Sequence, residues 1–499
     1  MARSSKLSEH KGSNRAATKL LEIIFDDVVK TASLPFKDWR GLSPSPLVPL
    51  TIPASSGHEY RVTQVGVNAA HELTKQTWQS RADLRQTVAR QEFEKLSFRA
   101  IGETFLRSTR HLPKETEAGQ DTVVDEHFYV ALAADYVDNL NRVVAGVQID
   151  VDRHIPCHLF HTDQNVPAFS VGPVQFRPRT EWIDYFIKDS LELAHIRSVE
   201  TGSLPRDELR RQAFARGAPR HLFNAWNVVS SLGGFAWVAT VRMSGHELAQ
   251  SHSKGSTIVG LAIDAIGLRF QVEDARYFSK AGRQHLYAED RLATSKDGKL
   301  FGGWSIKMPG LGSKPGALSS KMAAERPFLD AAGRVLEAYV LGRQTGSAPH
   351  LIERWANALY WVGEARREAS DFLAIVGYGC AADGLSGAGG VAKLMTAFAE
   401  AALNPQQKPT PAGSLGIADA VNKVYREGRN KLAHGEISGL LEDLAETRAV
   451  GDALLMHLFD VITVELSNIL LNRNVILTLD EKIAFRALEA WLQQRSPVT

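Results

Sequence analysis

Apolar residues at helical spacing run from about Ser319 almost to the end of the chain, and this constrains the fold more than any other feature. The pattern predicts one helix over Lys321 to Gly342, with a break at Pro327, and another from about Leu351 to Asp383. Gly384-Leu-Ser-Gly-Ala-Gly-Gly390 interrupts it, and so does Asn404 to Gly413. A helix from Ile417 to His434 should bury Ile417, Val421, Val424 and Leu432, and a last one from about Leu444 to Asn472 should bury Leu454, Leu458, Val461 and Ile469. Four or five antiparallel helices over about 150 residues make a helical bundle. The greasiest stretch, Leu454 to Leu471, carries His457, Asp460 and Glu465, too many charges for a membrane span. No membrane partner is expected.

At about 150 residues per domain, a chain of 499 residues suggests roughly three domains. Residues 1–60 read as a flexible tail of fifteen residues, a short amphipathic helix with Leu20, Ile24 and Val28, and an extended proline-rich connector from Pro35 to Pro53. Residues 61–345 read as a mixed helical and β region. Val62 to Val144 is helical in pattern, with Leu84, Val88 and Phe93 among many charges. Pro167 to Phe176 has strand composition with a Gly-Pro break, Glu181 to Arg197 reads as a helix, and Phe235 to Val241 as a buried strand. Lys296-Asp-Gly-Lys299 is a hairpin turn, because Asp-Gly accepts the positive φ of a tight turn. Gly302-Gly303 and Pro309 to Gly316 read as loop. Residues 346–499 hold the bundle, so the fold expected is mainly α with a mixed α/β N-terminal and central region and a C-terminal helical bundle.

Composition narrows the function classes. Hydrophobic residues make up 44% and charged residues 23%, which excludes a mainly disordered or fibrous chain. Fifty-eight Lys plus Arg against 56 Asp plus Glu leave +2, so no global field draws the chain to a polyanion. Any such site must be local. Two cysteines, Cys157 and Cys380, and a polar start without the apolar core of a signal peptide predict a reducing, cytoplasmic setting.

Three kinds of candidate site give little signal. His154-Ile-Pro-Cys-His-Leu-Phe-His161 offers three imidazoles and a thiol, the raw material of a zinc enzyme, but its spacing matches no closed four-ligand pattern. No metal is assigned. The glycine run ending at Gly390 lacks the Lys-Ser/Thr of a phosphate loop. Nine Lys or Arg against four acids lie between Lys75 and Lys114, and five arginines against two acids between Arg206 and Arg220. Either run could touch phosphates, although most such runs are solvated faces.

The strong signal is Tyr425-Arg-Glu-Gly-Arg-Asn-Lys-Leu-Ala-His-Gly435. At about 100° per residue, Asn430 and His434 stand one turn apart on nearly the same face. Arg429 is beside them, and Gly435 suits a helix C-cap. One imidazole, one carboxamide and one guanidinium thus converge at a helix end. RNA carries its own nucleophile, the 2′-hydroxyl. Its cleavage needs proton transfer, which a histidine near neutrality can perform. It also needs charge stabilisation, which a forked guanidinium can supply. The bland alternative is that Arg429 pairs with Glu427 or Glu436 and His434 only caps the helix.

Arg429-Asn-Lys-Leu-Ala-His434 resembles the Arg-Asn-x-x-x-His signature of the HEPN superfamily of helical ribonucleases. Ile352 to Ser370 resembles the first helix of its Apea-like branch, found in bacterial anti-phage proteins. The resemblance covers about Leu351 to Asn472. It implies a HEPN-like bundle and metal-independent endoribonuclease activity without a cofactor. It also implies a homodimer with a composite active site, and a defence or growth-arrest role with tRNA or another cellular RNA as substrate. Arg429, Asn430 and His434 would be catalytic, with Asp383 in support and Tyr425, Arg426 and Lys431 contacting RNA. The region 61–345 would sense a phage-derived trigger or nucleic acid, or restrain the nuclease. The competing expectation is a catalytically silent HEPN module that binds RNA or nucleotide, or only dimerises.

Overall fold

The computed structural model describes residues 2–32, 50–55, 57–108, 126–283, 287–307, 309–341, 349–403, 415–435, 442–472 and 481–494. The described residues are mainly helical, with three small antiparallel sheets. The chain forms two compact units, residues 1–151 with 243–254, and residues 152–242 with 255–499.

The first unit holds α1 (Ala2–Ala32), β1 (Thr51–Pro53), β2 (Glu59–Arg61), α2 (Gln64–Ser80), α3 (Ala82–Thr87), α4 (Arg90–Ser108) and α5 (Glu126–Ala145). The expected tail of fifteen residues is instead the start of α1. Packing of Leu21, Ile24, Phe25 and Val28 into the core secures the helix, and adding turns to an existing helix costs far less than starting one. Most of the connector from Pro35 lies outside the described residues, but its end, Thr51–Pro53, pairs with Glu59–Arg61. The buried Asp27 carboxylate accepts from the Thr63 backbone N–H (2.6 Å) and hydroxyl (2.7 Å). Thr63 in turn caps α2 through the Val65 N–H. In the basic run after Lys75, Arg81, Arg90 and Lys95 pair with Asp83, Glu94 and Glu92, so much of that charge is answered locally.

The second unit begins within β3 (Ile149–His158) and continues with β4 (Phe169–Val171), β5 (Val174–Pro178), α6 (Arg179–Phe186), α7 (Ser190–Glu200), α8 (Arg206–Ala213) and α9 (Arg220–Leu232). Then follow β6 (Trp237–His246), α10 (Leu248–Gly267), α11 (Val272–Ala275) and β7 (Ser279–Lys280). The sheet order is β4-β5-β6-β3-β7. The helix expected over Glu181 to Arg197 is two helices, because Asp189 accepts from the Leu191 and Glu192 N–H groups and starts α7 anew. Lys296 to Lys299 does turn the hairpin of β8 (Tyr287–Thr294) and β9 (Leu300–Lys307), with Gly298 at φ +83°. Gly302-Gly303, expected as loop, lies inside β9, where pairing with Arg291 and Leu292 outweighs glycine's weak strand preference.

The bundle comprises α12 (Ala317–Ala324), α13 (Arg326–Leu341), α14 (Pro349–Arg367), α15 (Asp371–Ser386), α16 (Ala392–Ala402), α17 (Ile417–Val421), a π-helical segment (Asn422–Asn430), α18 (Lys431–His434), α19 (Ala445–Leu471) and α20 (Glu481–Gln494). The helix expected from Leu351 to Asp383 is broken at Ser370, whose hydroxyl accepts from the Leu373 N–H and restarts it as α15. Asn404 to Gly413 lies outside the described residues. Among those described, α19 is the one helix long and apolar enough to cross a membrane. Its Leu454, Leu458 and Ile469 are buried in the bundle as expected, whereas Val461 is half-buried and its neighbour Ile462 takes the core position. Arg448, also on α19, donates to Asp371 (2.7 Å) and to the Glu368 carbonyl (2.7 Å), tying α19 to the α14–α15 turn. Gly172 and Gly333 bring the β4–β5 turn onto α13, since a Cβ on Gly172 would sit 2.2 Å from the Gly333 oxygen.

Candidate active site

The motif occupies one rod of residues 417–434, and its middle is not an ordinary α-helix. Asn422–Asn430 forms wider i→i+5 turns before Lys431–His434 closes with a last α turn. Such segments are rare and concentrate at functional sites. Gly428 makes room for the rod to press on α15, because a Cβ there would meet Ile375 Cγ2 at 2.6 Å. Gly435 ends the rod at φ +69°, as the sequence predicts for a C-cap.

Arg429 lies partly buried against α15. Gly379 is its cradle, for a Cβ there would come within 2.5 Å of Arg429 Cβ. Its guanidinium carbon is 5.5 Å from the Tyr425 ring centroid, and Nη1 donates to Asn430 Oδ1 at 2.8 Å. The Asn430 amide NH2 is thereby left to donate elsewhere. Arg429 Nε is buried without a hydrogen-bond partner among the described residues. The alternative pairing with Glu427 is not what forms, since Glu427 accepts from Asn422 Nδ2 (3.1 Å). Glu436 lies outside the described residues. Asn430 is half-buried and His434 is exposed one turn beyond it.

The other expected site residues divide. Arg426 and Lys431 are exposed. Tyr425 differs from that expectation. It is 2% exposed and serves as a floor beneath Arg429, because Val424, Tyr425 and Gly428 form the buried side of the rod. Burial, and then the nearby Asp383 carboxylate, raise its phenol pKa. Asp383 accepts from the Gly390 N–H (2.8 Å), so it fixes the loop after α15 as well as facing Tyr425. Gly379 and Gly428 are the members the sequence reading missed, and a lone glycine within a helical pattern is the slight signal that marks them.

The histidine run after His154 does not gather into one site. His154 Nδ1 lies 3.0 Å from Thr240 Oγ1 and accepts from Trp182 Nε1 at 3.1 Å. His158 stacks on Phe235 (4.5 Å between centroids), and His161 packs on Gly310 and Gly312. Cys157 is buried, which raises its thiol pKa. Among the described residues, no three His, Cys, Asp or Glu side chains are placed to share a metal ion.

His158 gives a pH prediction. It is 6% exposed, and burial, then the charge of His161, push its pKa down to about 4 from the ordinary 6.5. The unfolded chain therefore takes up a proton that the folded chain refuses, and stability falls as pH drops through 6.5 toward 4. His158→Phe should flatten this slope, recovering about 1–2 kcal/mol of the loss between pH 7 and 5 in urea titrations. Equal slopes for the two proteins would refute it.

No protein-family model matches the chain, and neither a curated protein nor a solved structure does.

Proposed function

We propose that the bundle is a HEPN-type endoribonuclease that cuts RNA by transesterification from the 2′-hydroxyl. The observation that carries this reading is the Arg429–Asn430 contact (2.8 Å) one turn before an exposed His434. In the proposed step His434 takes the 2′-hydroxyl proton as the 2′-oxygen bonds to phosphorus. The bond from phosphorus to the 5′-oxygen breaks, and the leaving oxygen takes a proton from the partner's His434. Arg429 neutralises the phosphorane, and the Asn430 amide donates to a phosphate oxygen or to the histidine.

In-line transfer wants base and acid on opposite sides of the phosphorus, and the chain has one Arg-Asn-x-x-x-His string. A two-fold dimer brings two copies of it together without further sequence. Opposed arginines repel each other until a phosphate lies between them. The proposed setting is cytoplasmic anti-phage defence or growth arrest, with residues 61–345 sensing the trigger or restraining the cut.

The full chain incubated with end-labelled single-stranded RNA in EDTA should produce fragments ending in 2′,3′-cyclic phosphate. Methylating the 2′-oxygen at the cut should block them. Strict Mg2+ dependence or cutting of DNA would overturn the chemistry, and a fully active monomer in sedimentation would overturn the composite dimer. RNA binding without cleavage would instead leave the silent module.

A further inference from the structure

The run from Arg206 to Arg220 differs from the basic run in the first unit in what surrounds its charges. From Leu209 to His246 the sequence contains no Asp or Glu. Of the nearby acids, Glu208 is engaged by Arg211 and Gln212, Glu192 on α7 accepts from Asn224, and Asp207 is exposed in the first turn of α8. Arg210, Arg216 and Arg220 are exposed and make no ion pair among the described residues.

Aromatic rings stand among these arginines. Phe214, at the end of α8, is 62% exposed, and Phe223, on α9, is 43% exposed. Their centroids are 5.7 Å apart at 83°, and Phe214 also lies 6.5 Å from Trp226. The guanidinium carbons of Arg206 and Arg210 lie 5.7 and 5.8 Å from the Trp226 ring centroid. Leu209, Ala225 and Val229 bury the opposite faces of the two helices, so packing already holds the hairpin and the exposed rings are not needed to fold it.

We propose that this α8–α9 face binds single-stranded RNA, stacking bases on Phe214 and Phe223 and holding phosphates with Arg210, Arg216 and Arg220. Choosing RNA rests on the ribonuclease reading, whereas the preference for a single strand rests on the rings, because bases paired in a duplex are not free to stack on them. The charges would supply the salt-dependent attraction that a chain of net charge +2 lacks overall.

The test is fluorescence anisotropy of the full chain with a labelled, fully 2′-O-methylated 20-nucleotide RNA, alone and annealed to its complement. Methylation removes the nucleophile, so binding is read apart from cleavage. Phe214→Ala/Phe223→Ala should weaken single-strand binding at least tenfold, since each stacked base contributes about that much. Arg216→Gln/Arg220→Gln should reduce the logarithmic salt slope by about 1.4, the loss of two phosphate contacts to a single strand.

Unchanged affinity in the aromatic variant would overturn the proposal, as would equal affinity for the duplex. An aromatic variant that loses self-association while keeping RNA affinity would also overturn it, showing the face to be a contact between copies. A chain that binds but never cuts unmethylated RNA would sink the ribonuclease reading and leave this surface standing.

Discussion

Replacing Asp264 with alanine should cost the second unit about 3–5 kcal/mol in urea unfolding at neutral pH, the usual penalty for breaking a buried ion pair from one side. Asp264 sits on α10 with its side chain fully buried. It accepts from Arg367 Nη1 at 2.6 Å and Arg283 Nη1 at 3.1 Å. Gly363 shows how tightly α14 covers it, since a Cβ there would fall 2.2 Å from Asp264 Cγ. Without the carboxylate, the two guanidinium groups face each other with the partly exposed Glu364 between them. Lys280 adds to the strain, because its burial and the charge of Arg283 already lower its pKa. Asp264→Asn should lose less, keeping an acceptor while removing the charge. The triple change Asp264→Leu/Arg283→Met/Arg367→Met should recover most of the loss, because it removes the stranded charges along with their partner. A loss below 1 kcal/mol in Asp264→Ala would show that water reaches the cluster.

The bundle was legible because its signals are periodic or local. The rows Ile417, Val421, Val424, Leu432 and Leu454, Leu458, Ile469 are buried at the spacing the sequence shows, and Gly435 caps where a C-cap glycine should. Two of the errors fall where a single polar side chain overrode a pattern. Asp189 and Ser370 each restarted a helix inside a run that looks continuous. The second half of α10 offers no exposed face to give a periodic signal, because Ile258 to Ile266 are all buried. At the candidate site, the string at Arg429 stood out in the sequence. Its setting could not, because the π-helical turns and the depth of Tyr425 depend on how α15 and α19 close over the rod.

That setting makes Gly379→Ala the most demanding test of the site, and cleavage should fall about 100-fold. A displacement of about 1 Å in a positioned group can cost that much. The added methyl would start 2.5 Å from Arg429 Cβ and 2.7 Å from Cγ, atoms at the root of the side chain that cannot swing aside. Either α15 or the π-helical segment must move, carrying the guanidinium off the Tyr425 ring and away from Asn430. Overpacking should also cost about 1–3 kcal/mol of stability. Gly384→Ala, on the same helix, is the control. Its methyl would meet Ala358 Cβ at an ordinary 3.9 Å, so helix propensity should leave it as stable as wild type or up to about 1 kcal/mol more stable. Its cleavage should be unchanged. Arg429→Ala sets the floor, and Gly379→Ala should approach it through kcat while still binding 2′-O-methylated RNA. Wild-type cleavage in folded Gly379→Ala would mean that Arg429 need not be held where α15 holds it, and the assignment of this arginine to the phosphorane would fail with it.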